Sequence, residues 1–460
     1  MRERLSGHSS GETAVRGEKL TSSSGSGFGR RGFLQGAMSL GLSLPAAAAL
    51  LAACSGEDPE ATRRTLRFVG WDFLPDTIQT HLDNWSAVSG GSVELEVLPV
   101  TGYPAAIQTR FRGGDRPDLF YNFTYLLGQF LENGWNRTLN DLPGVEERID
   151  ALYPGARSRF VTPDGQITSL PYFSAVFMNH YNAAMVEQAG FSGPPQTLQE
   201  YYDQCAKIKA DGISDAPYES SWLNERIEEY LMATLLGEGI TAFDEAGQPV
   251  FADDPRSVDV LEWWRAMYQD GLTSPTILTD DNPELIGGMT QGTFAFYAGH
   301  DYWLKIFNDV GGPAAADLRM APMPGAGQTL LAGEVVQMGP DLEGTALKDA
   351  WDLLKFYTGA DNDGNFTVPL TWVEAAALAV PYPAFFDDPA IAAAYPDYYD
   401  LGLIKSEYDR AATPAARALS WYQGFQVKVG ERVNDMLAGD ATPAEAVANM
   451  ADDAVELAAG

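Results

Sequence analysis

Apolar residues along this chain recur with two different periods. Leu66 and Phe68, and later Val93, Leu95 and Val97, alternate with polar neighbours, as half-buried strands do. Between them Ile78, Leu82, Trp85 and Val88 recur at spacings of three and four, which predicts a helix over 77–89. The order then repeats: a helix over 103–111, a short apolar strand over 118–121, and a helix over 125–133 closed by Gly134. Alternating strands and helices predict an α/β lobe with a largely parallel sheet. Ligands of such open sheets gather beyond the carboxyl ends of the strands, so Trp71, Asp72, Phe73, Asn122 and Phe123 fall where a site is expected.

Further along, the pattern is helical. Thr197 with Glu200, and Thr442 with Glu445, have the Thr-x-x-Glu spacing of a capping box, the second with Pro443 at the first helical position. Amphipathic periodicity predicts helices over 258–268, 348–357 and 421–437. Leu198, Tyr201, Tyr202, Cys205 and Ile208 share one helical face, which makes Cys205 a core thiol rather than a reactive one. No repeat of solenoid or propeller length is visible.

Composition adds an address and removes several chemistries. The 460 residues include 63 acids against 30 Lys and Arg, a formal charge of -33. Such a surface repels phosphate backbones and anionic headgroups, which argues against a nucleic-acid partner and against electrostatic membrane attachment. Residues 1–53 differ from the rest. Six basic residues precede Phe33, and the stretch from Arg30-Arg31 through an apolar run to Leu51-Ala52-Ala53-Cys54 reads as an export signal. A transmembrane anchor is the alternative, but Gly36, Gly41, Ser43 and Pro45 interrupt the run and its end suits cleavage. The twin arginine resembles a Tat signature and the last four residues a bacterial lipobox, with Cys54 as the lipidated residue and 54–62 as a tether. Without residues 1–53 the chain has 407 residues, 24 basic and 60 acidic, and a charge of -36.

Searches for catalytic chemistry return little. His81, His180 and His300 are far apart, the two cysteines, Cys54 and Cys205, are unclustered, and no Walker loop, dinucleotide fingerprint or nucleophile elbow occurs. No metal site or cofactor is expected. Asp361-Asn362-Asp363-Gly364-Asn365 fails as a calcium loop because Phe366 and Trp372 stand where glycine and glutamate are needed, so a turn is expected there. Two distant acids could still flank a sugar bond, which keeps a secreted glycoside hydrolase as an alternative. Aromatics near predicted loops, among them Trp71, Tyr172, Phe173, Trp222, Tyr302 and Trp372, could stack on sugar faces or pack in a core.

Several segments in order resemble the extracellular solute-binding proteins of ABC importers, in the large maltose-binding-protein-like family. They are Leu66-Arg67-Phe68-Val69-Gly70-Trp71, Tyr103-Pro104, Phe111 to Asp118, Leu170-Pro171-Tyr172, Tyr181-Asn182, Pro194-Pro195-Gln196-Thr197, Gly292 to Gly299, Ala321-Pro322-Met323-Pro324-Gly325 and Gly439 to Ala446. The resemblance implies a two-lobed, periplasmic-binding-protein-like α/β fold with discontinuous lobes and a hinge. Crossovers are expected near 174–177, 331–335 and 371–375, giving one lobe from 63–174 plus about 335–371 and another from 175–334 plus about 372–460. It implies a monomer that captures a small solute, above all a carbohydrate, in the cleft, and delivers it to ABC permease subunits at the outer face of the cytoplasmic membrane. A polyamine or another non-sugar solute is the competing ligand. Carried over by position, the expected contacts are Asp72, Tyr103, Asn122 and Tyr125 from one lobe and Tyr172, Trp222, Asn224, Asp301 and Tyr302 from the other. Glu334, Trp372, Glu374 and Trp421 complete the set, with hinge bonding as the alternative for the two glutamates and core packing for Trp421.

Overall fold

The computed structural model describes residues 63–460 apart from Ser221, Glu225 and Asn362. The export signal, Cys54 and the tether lie outside the described residues. Two sheets organise the chain. The first has the order β2-β1-β3-β10-β4, built from β1 (Leu66–Trp71), β2 (Val93–Leu98), β3 (Leu119–Asn122), β4 (Leu170–Pro171) and β10 (Val335–Met338). The three strands read from the sequence run parallel, connected by the helices Pro75–Ser89 and Tyr103–Arg112. Ile78, Leu82 and Trp85 are buried on that first helix, whereas Val88 at its end is 78% exposed.

β10 makes this sheet mixed. It lies antiparallel to both β3 and β4, with Val335 opposite Asn122 on one side and Pro171 on the other. The direction follows from the route: β4 leaves the sheet toward the second lobe at this edge, and β10 returns from that lobe through the same edge, so it must run the opposite way. The second sheet has the order β6-β7-β5-β8, from β5 (Ala175–Asn182), β6 (Tyr218–Glu219), β7 (Phe296–His300) and β8 (Leu318–Pro322), with β9 (Leu331–Ala332) pairing the start of β5. Here β5 is antiparallel to β7, β8 and β9, and β6 is parallel to β7.

The lobes are joined by backbone hydrogen bonds between neighbouring crossing segments. Tyr172 N–H donates to the Glu334 carbonyl at 2.8 Å, Glu334 N–H to the Phe173 carbonyl at 3.1 Å, and Ser174 N–H to the Ala379 carbonyl at 2.8 Å. Gly333 is required here: its φ is +110°, and a Cβ would stand 2.4 Å from the Phe173 carbonyl oxygen. The helix Thr367–Ala376 ends with Ala377 at φ 54°, just before Ala379 reaches the ribbon. Trp372 on that helix packs edge-on against His81 and Tyr172. Thr442 and Glu445 form the full capping box, whereas Glu200 accepts from Gln196 N–H, one residue ahead of the cap at Thr197. Cys205 is buried, and burial pushes its thiol well above the ordinary range. Asp361 accepts from the N–H groups of Asp363 and Asn365, the turn expected there. Among the described residues no helix is long and apolar enough to cross a membrane.

Candidate functional site

Side chains from both lobes meet near the hinge ribbon. From the first lobe, β3 runs into Phe123 and the turn Thr124–Leu126. The rings of Phe123 and Tyr125 stack at 5.4 Å and 25°, and Phe123 rests 5.2 Å from Trp71. From the second lobe, the end of β7 delivers His300 and Tyr302, whose rings stack at 5.2 Å and 7°. Phe173, in the first crossing, meets Tyr302 edge-on at 6.0 Å. Aromatic surface is thus offered from both lobes and from the hinge.

Beside these rings lies a set of buried and half-buried titratable groups. Arg417 is bracketed by Glu228 at 3.0 Å and Glu229 at 3.3 Å. Burial alone would lower the Arg417 pKa, but the two carboxylates raise it above its usual value. Tyr422 donates its hydroxyl to the second oxygen of Glu228. His300 Nε2 lies 3.6 Å from Glu229 and burial lowers the imidazole pKa, so the ring is neutral at pH 7. Glu334 accepts from Thr124 N–H at 2.8 Å, tying the second crossing to the first-lobe turn, and burial pushes its carboxyl up to about 8. Arg159, at the end of the turn Pro154–Arg159, donates Nη1 to the Ser174 hydroxyl at 2.9 Å. Arg159, Arg417, Glu229 and Glu334 lie close enough for each to shift the others electrostatically.

The lobes meet directly at one side of this cluster. Gly128, in the first-lobe helix Leu127–Glu132, packs on the turn preceding the second-lobe helix Tyr422–Ala438, where a Cβ would stand 2.3 Å from Ser420 N and 2.5 Å from the Ala418 carbonyl oxygen.

Of the residues expected from the sequence, the structure gathers Tyr125, Tyr302 and Glu334 here. Asp72 is exposed at the end of β1 and accepts from Val100 N–H at 2.9 Å. Asn122 is buried at the edge of β3, with Nδ2 donating to Gln337 at 2.7 Å. Tyr103 donates to the Tyr121 carbonyl at 2.8 Å, and Tyr172 stacks on Tyr121 at 4.1 Å, both within the first-lobe core. Trp222 lies flat on Trp264 at 4.6 Å and 8°, in the second-lobe core. Asn224 accepts from Asn434 at 3.2 Å on the helix Tyr422–Ala438. Asp301 is buried near Tyr395, Tyr399 and Tyr408, where burial pushes its carboxyl up to about 8. Trp372 is buried, Glu374 is exposed, and Trp421 is half-buried with its ring 6.0 Å from Phe243.

Sequence reasoning passed over Phe173 as a named contact, and also Arg159, Glu228, Glu229 and Arg417. A signal existed for the glutamates: Glu228 and Glu229 open the helix Ile227–Gly237, whose remaining residues are all apolar apart from Tyr230, Thr234 and Gly237 and are buried on every face. Carboxylates in such a helix need a buried partner. Among the described residues, no group of three His, Cys, Asp or Glu is arranged to hold a metal ion.

Two α/β lobes hydrogen-bonded through a hinge, with aromatic and charged side chains converging between them, define a two-lobed binding protein. Residues 86–393 match the bacterial extracellular solute-binding protein family, and the chain belongs to it. A stretch of 72 residues is 36% identical to the sn-glycerol-3-phosphate-binding periplasmic protein UgpB of Brucella abortus, covering 15% of this chain and 17% of that one. The UgpB of Agrobacterium fabrum is 32% identical over 76 residues, 16% of this chain and 17% of the relative. The matched stretch therefore spans only 17% of the length of these curated relatives. Among solved structures, maltose-bound MalE3 of T. maritima superposes with a TM-score of 0.72 at 19% identity, covering 85% of this chain and 99% of that one. The GacH receptor of Streptomyces glaucescens superposes with a TM-score of 0.71 at 17% identity, covering 86% and 98%. These similarities show the fold.

Proposed function

We propose that this protein is the solute-capturing component of an ABC importer, exported and held at the outer face of the cytoplasmic membrane by a lipid on Cys54, and that it closes its two lobes over a hydroxyl-rich small molecule. The observation that carries the reading is the convergence of Phe123 and Tyr125, Phe173, and His300 with Tyr302 on one hinge, beside the buried Arg417 and the half-buried carboxyl groups of Glu229 and Glu334. Flat rings stack on the C–H faces of a sugar or polyol, and charged groups bond its hydroxyls. The names of the similar proteins, with maltose in one and glycerol 3-phosphate in another, share that class of solute. Capture without turnover is supported by the state of the carboxylates. Among the described residues, Glu228 and Glu229 are engaged by Arg417 and Glu334 by Thr124, so these three do not stand as a free acid and base pair. Two guanidiniums near the cleft weigh against a polyamine. The test is a thermal-shift screen of sugars, polyols and their acidic derivatives. A solute at 100 times its Kd should add about 2.7 kcal/mol of stability, and turnover of an oligosaccharide lost on replacing one cleft acid would overturn the reading.

A further inference from the structure

Arg159 stands apart from the other buried charges. It is 2% exposed, and among the described residues its one hydrogen bond is to a neutral group, from Nη1 to the Ser174 hydroxyl at 2.9 Å. Nε and Nη2 have no hydrogen-bond partner among the described residues. Arg417, by contrast, holds Glu228 at 3.0 Å and Glu229 at 3.3 Å.

The groups around Arg159 do not balance it. Glu334 is spent on Thr124 N–H and, with its carboxyl pushed up to about 8 by burial, is mostly neutral at pH 7. Glu229 is shared between Arg417 and His300. Tyr408 donates its hydroxyl to the Ser174 carbonyl at 2.7 Å. Burial lowers the guanidinium to about 10, which leaves it charged at any physiological pH. A buried permanent cation with unfilled donors is costly unless something supplies acceptors.

The unfilled atoms have a shape. Nε–H and one N–H of Nη2 point the same way from the guanidinium plane's edge, the fork that matches two oxygens of a carboxylate or phosphate. The turn carrying Arg159 is fixed by the hinge, since Nη1 is bonded to Ser174, the residue after Phe173, whose ring meets Tyr302 at 6.0 Å. Both unfilled atoms are buried, beside the hinge segment whose Phe173 ring meets Tyr302.

We propose that Arg159 is the anchor for an oxyanion of the captured solute, taking two oxygens of a carboxylate or phosphate on Nε–H and Nη2–H. The solute is then an acidic derivative of a sugar or polyol rather than a neutral sugar. This rests on the cleft being the solute site.

The test is calorimetric titration of the full chain with matched pairs: gluconate against glucitol and glucuronate against glucose for carboxylates, glycerol 3-phosphate against glycerol and glucose 6-phosphate against glucose for phosphates. At least one acidic member should bind about tenfold or more tightly than its neutral partner, and the arm in which this occurs identifies the oxyanion. Arg159→Lys, which keeps the charge and loses the fork, should erase about tenfold of that preference while the neutral partner's affinity stays within about twofold. Should this variant fail to fold, the preference of the unaltered protein decides alone. Neutral members that bind as tightly as their acidic partners, or a preference unchanged in a folded Arg159→Lys protein, overturn the anchor and leave solute capture standing. Absence of binding by every member removes the solute reading, and the anchor with it.

Discussion

Replacing Gly128 by alanine tests lobe closure through the sign of two opposed effects. Gly128 lies in the helix Leu127–Glu132 and is not among the residues with positive φ, so alanine fits its backbone. Were the helix facing solvent, the change would stabilise it by about 0.8–1 kcal/mol. Against the second lobe, however, the new Cβ would stand 2.3 Å from Ser420 N, 2.4 Å from the Leu419 carbonyl carbon and 2.5 Å from the Ala418 oxygen. All three are backbone atoms, so no side chain can rotate away, and overpacking of this kind costs about 1–3 kcal/mol. If the apposed arrangement is the solute-bound one, the cost falls on binding. Kd should rise roughly 5- to 150-fold, while urea unfolding without solute shows unchanged or slightly increased stability. Titration calorimetry on a solute found in the thermal-shift screen, paired with urea melts, measures both. An affinity within about twofold of the original, together with the full helix-propensity gain in stability, would refute the contact between Gly128 and the turn at 418–420 in the bound state.

Other outcomes follow from the buried charges and rings. Asp301 and Glu334 keep their protons in the folded protein up to about 8, whereas unfolded carboxyls ionise near 4, so the stability they contribute is full below about 4 and is lost as pH rises through 8. His81 and His180, lowered to about 4 by burial, act the other way, and their contribution is lost as pH falls below about 6.5. Tm should therefore decline between about pH 6.5 and 8.5, and the decline should flatten in Glu334→Gln and Asp301→Asn proteins; an equal slope in these variants would contradict the assignment. Arg417→Met leaves Glu228 and Glu229 without their cation and should cost about 3–5 kcal/mol in urea unfolding, where a loss below about 1 kcal/mol would show that the carboxylates are not held by it. Trp222→Ala should cost about 3–5 kcal/mol because the ring is buried flat on Trp264, with solute affinity unchanged in the folded fraction.

How far the fold could be read depended on the range over which its pattern is written. Ile78, Leu82 and Trp85 encode their helix within one segment, and all three are buried. Val88 shares their spacing but sits at the end of the helix, where no neighbouring element covers it. The antiparallel entry of β10 was not legible, since Val335 pairs with Asn122 across a long excursion through the other lobe, and no local periodicity records that partner. The same limit applies to the site. An aromatic near a loop presents a flat apolar face to either a core or a solute, and the sequence does not say which: Tyr302 lies half-buried on His300 beside the hinge and Trp222 is buried on Trp264. Arg159 was invisible for a different reason, because a lone basic residue between elements reads as a solvated charge, and its burial beside Ser174 is created by the hinge.

Capture of a solute between the two lobes at the hinge can be followed by amide hydrogen exchange with and without the solute identified by the thermal-shift screen. Saturating solute should slow exchange together in 123–126 of the first lobe, 172–174 and 333–335 of the hinge, and 300–302 and 415–420 of the second lobe. Protection confined to one lobe, or absent from the hinge segments, would contradict it.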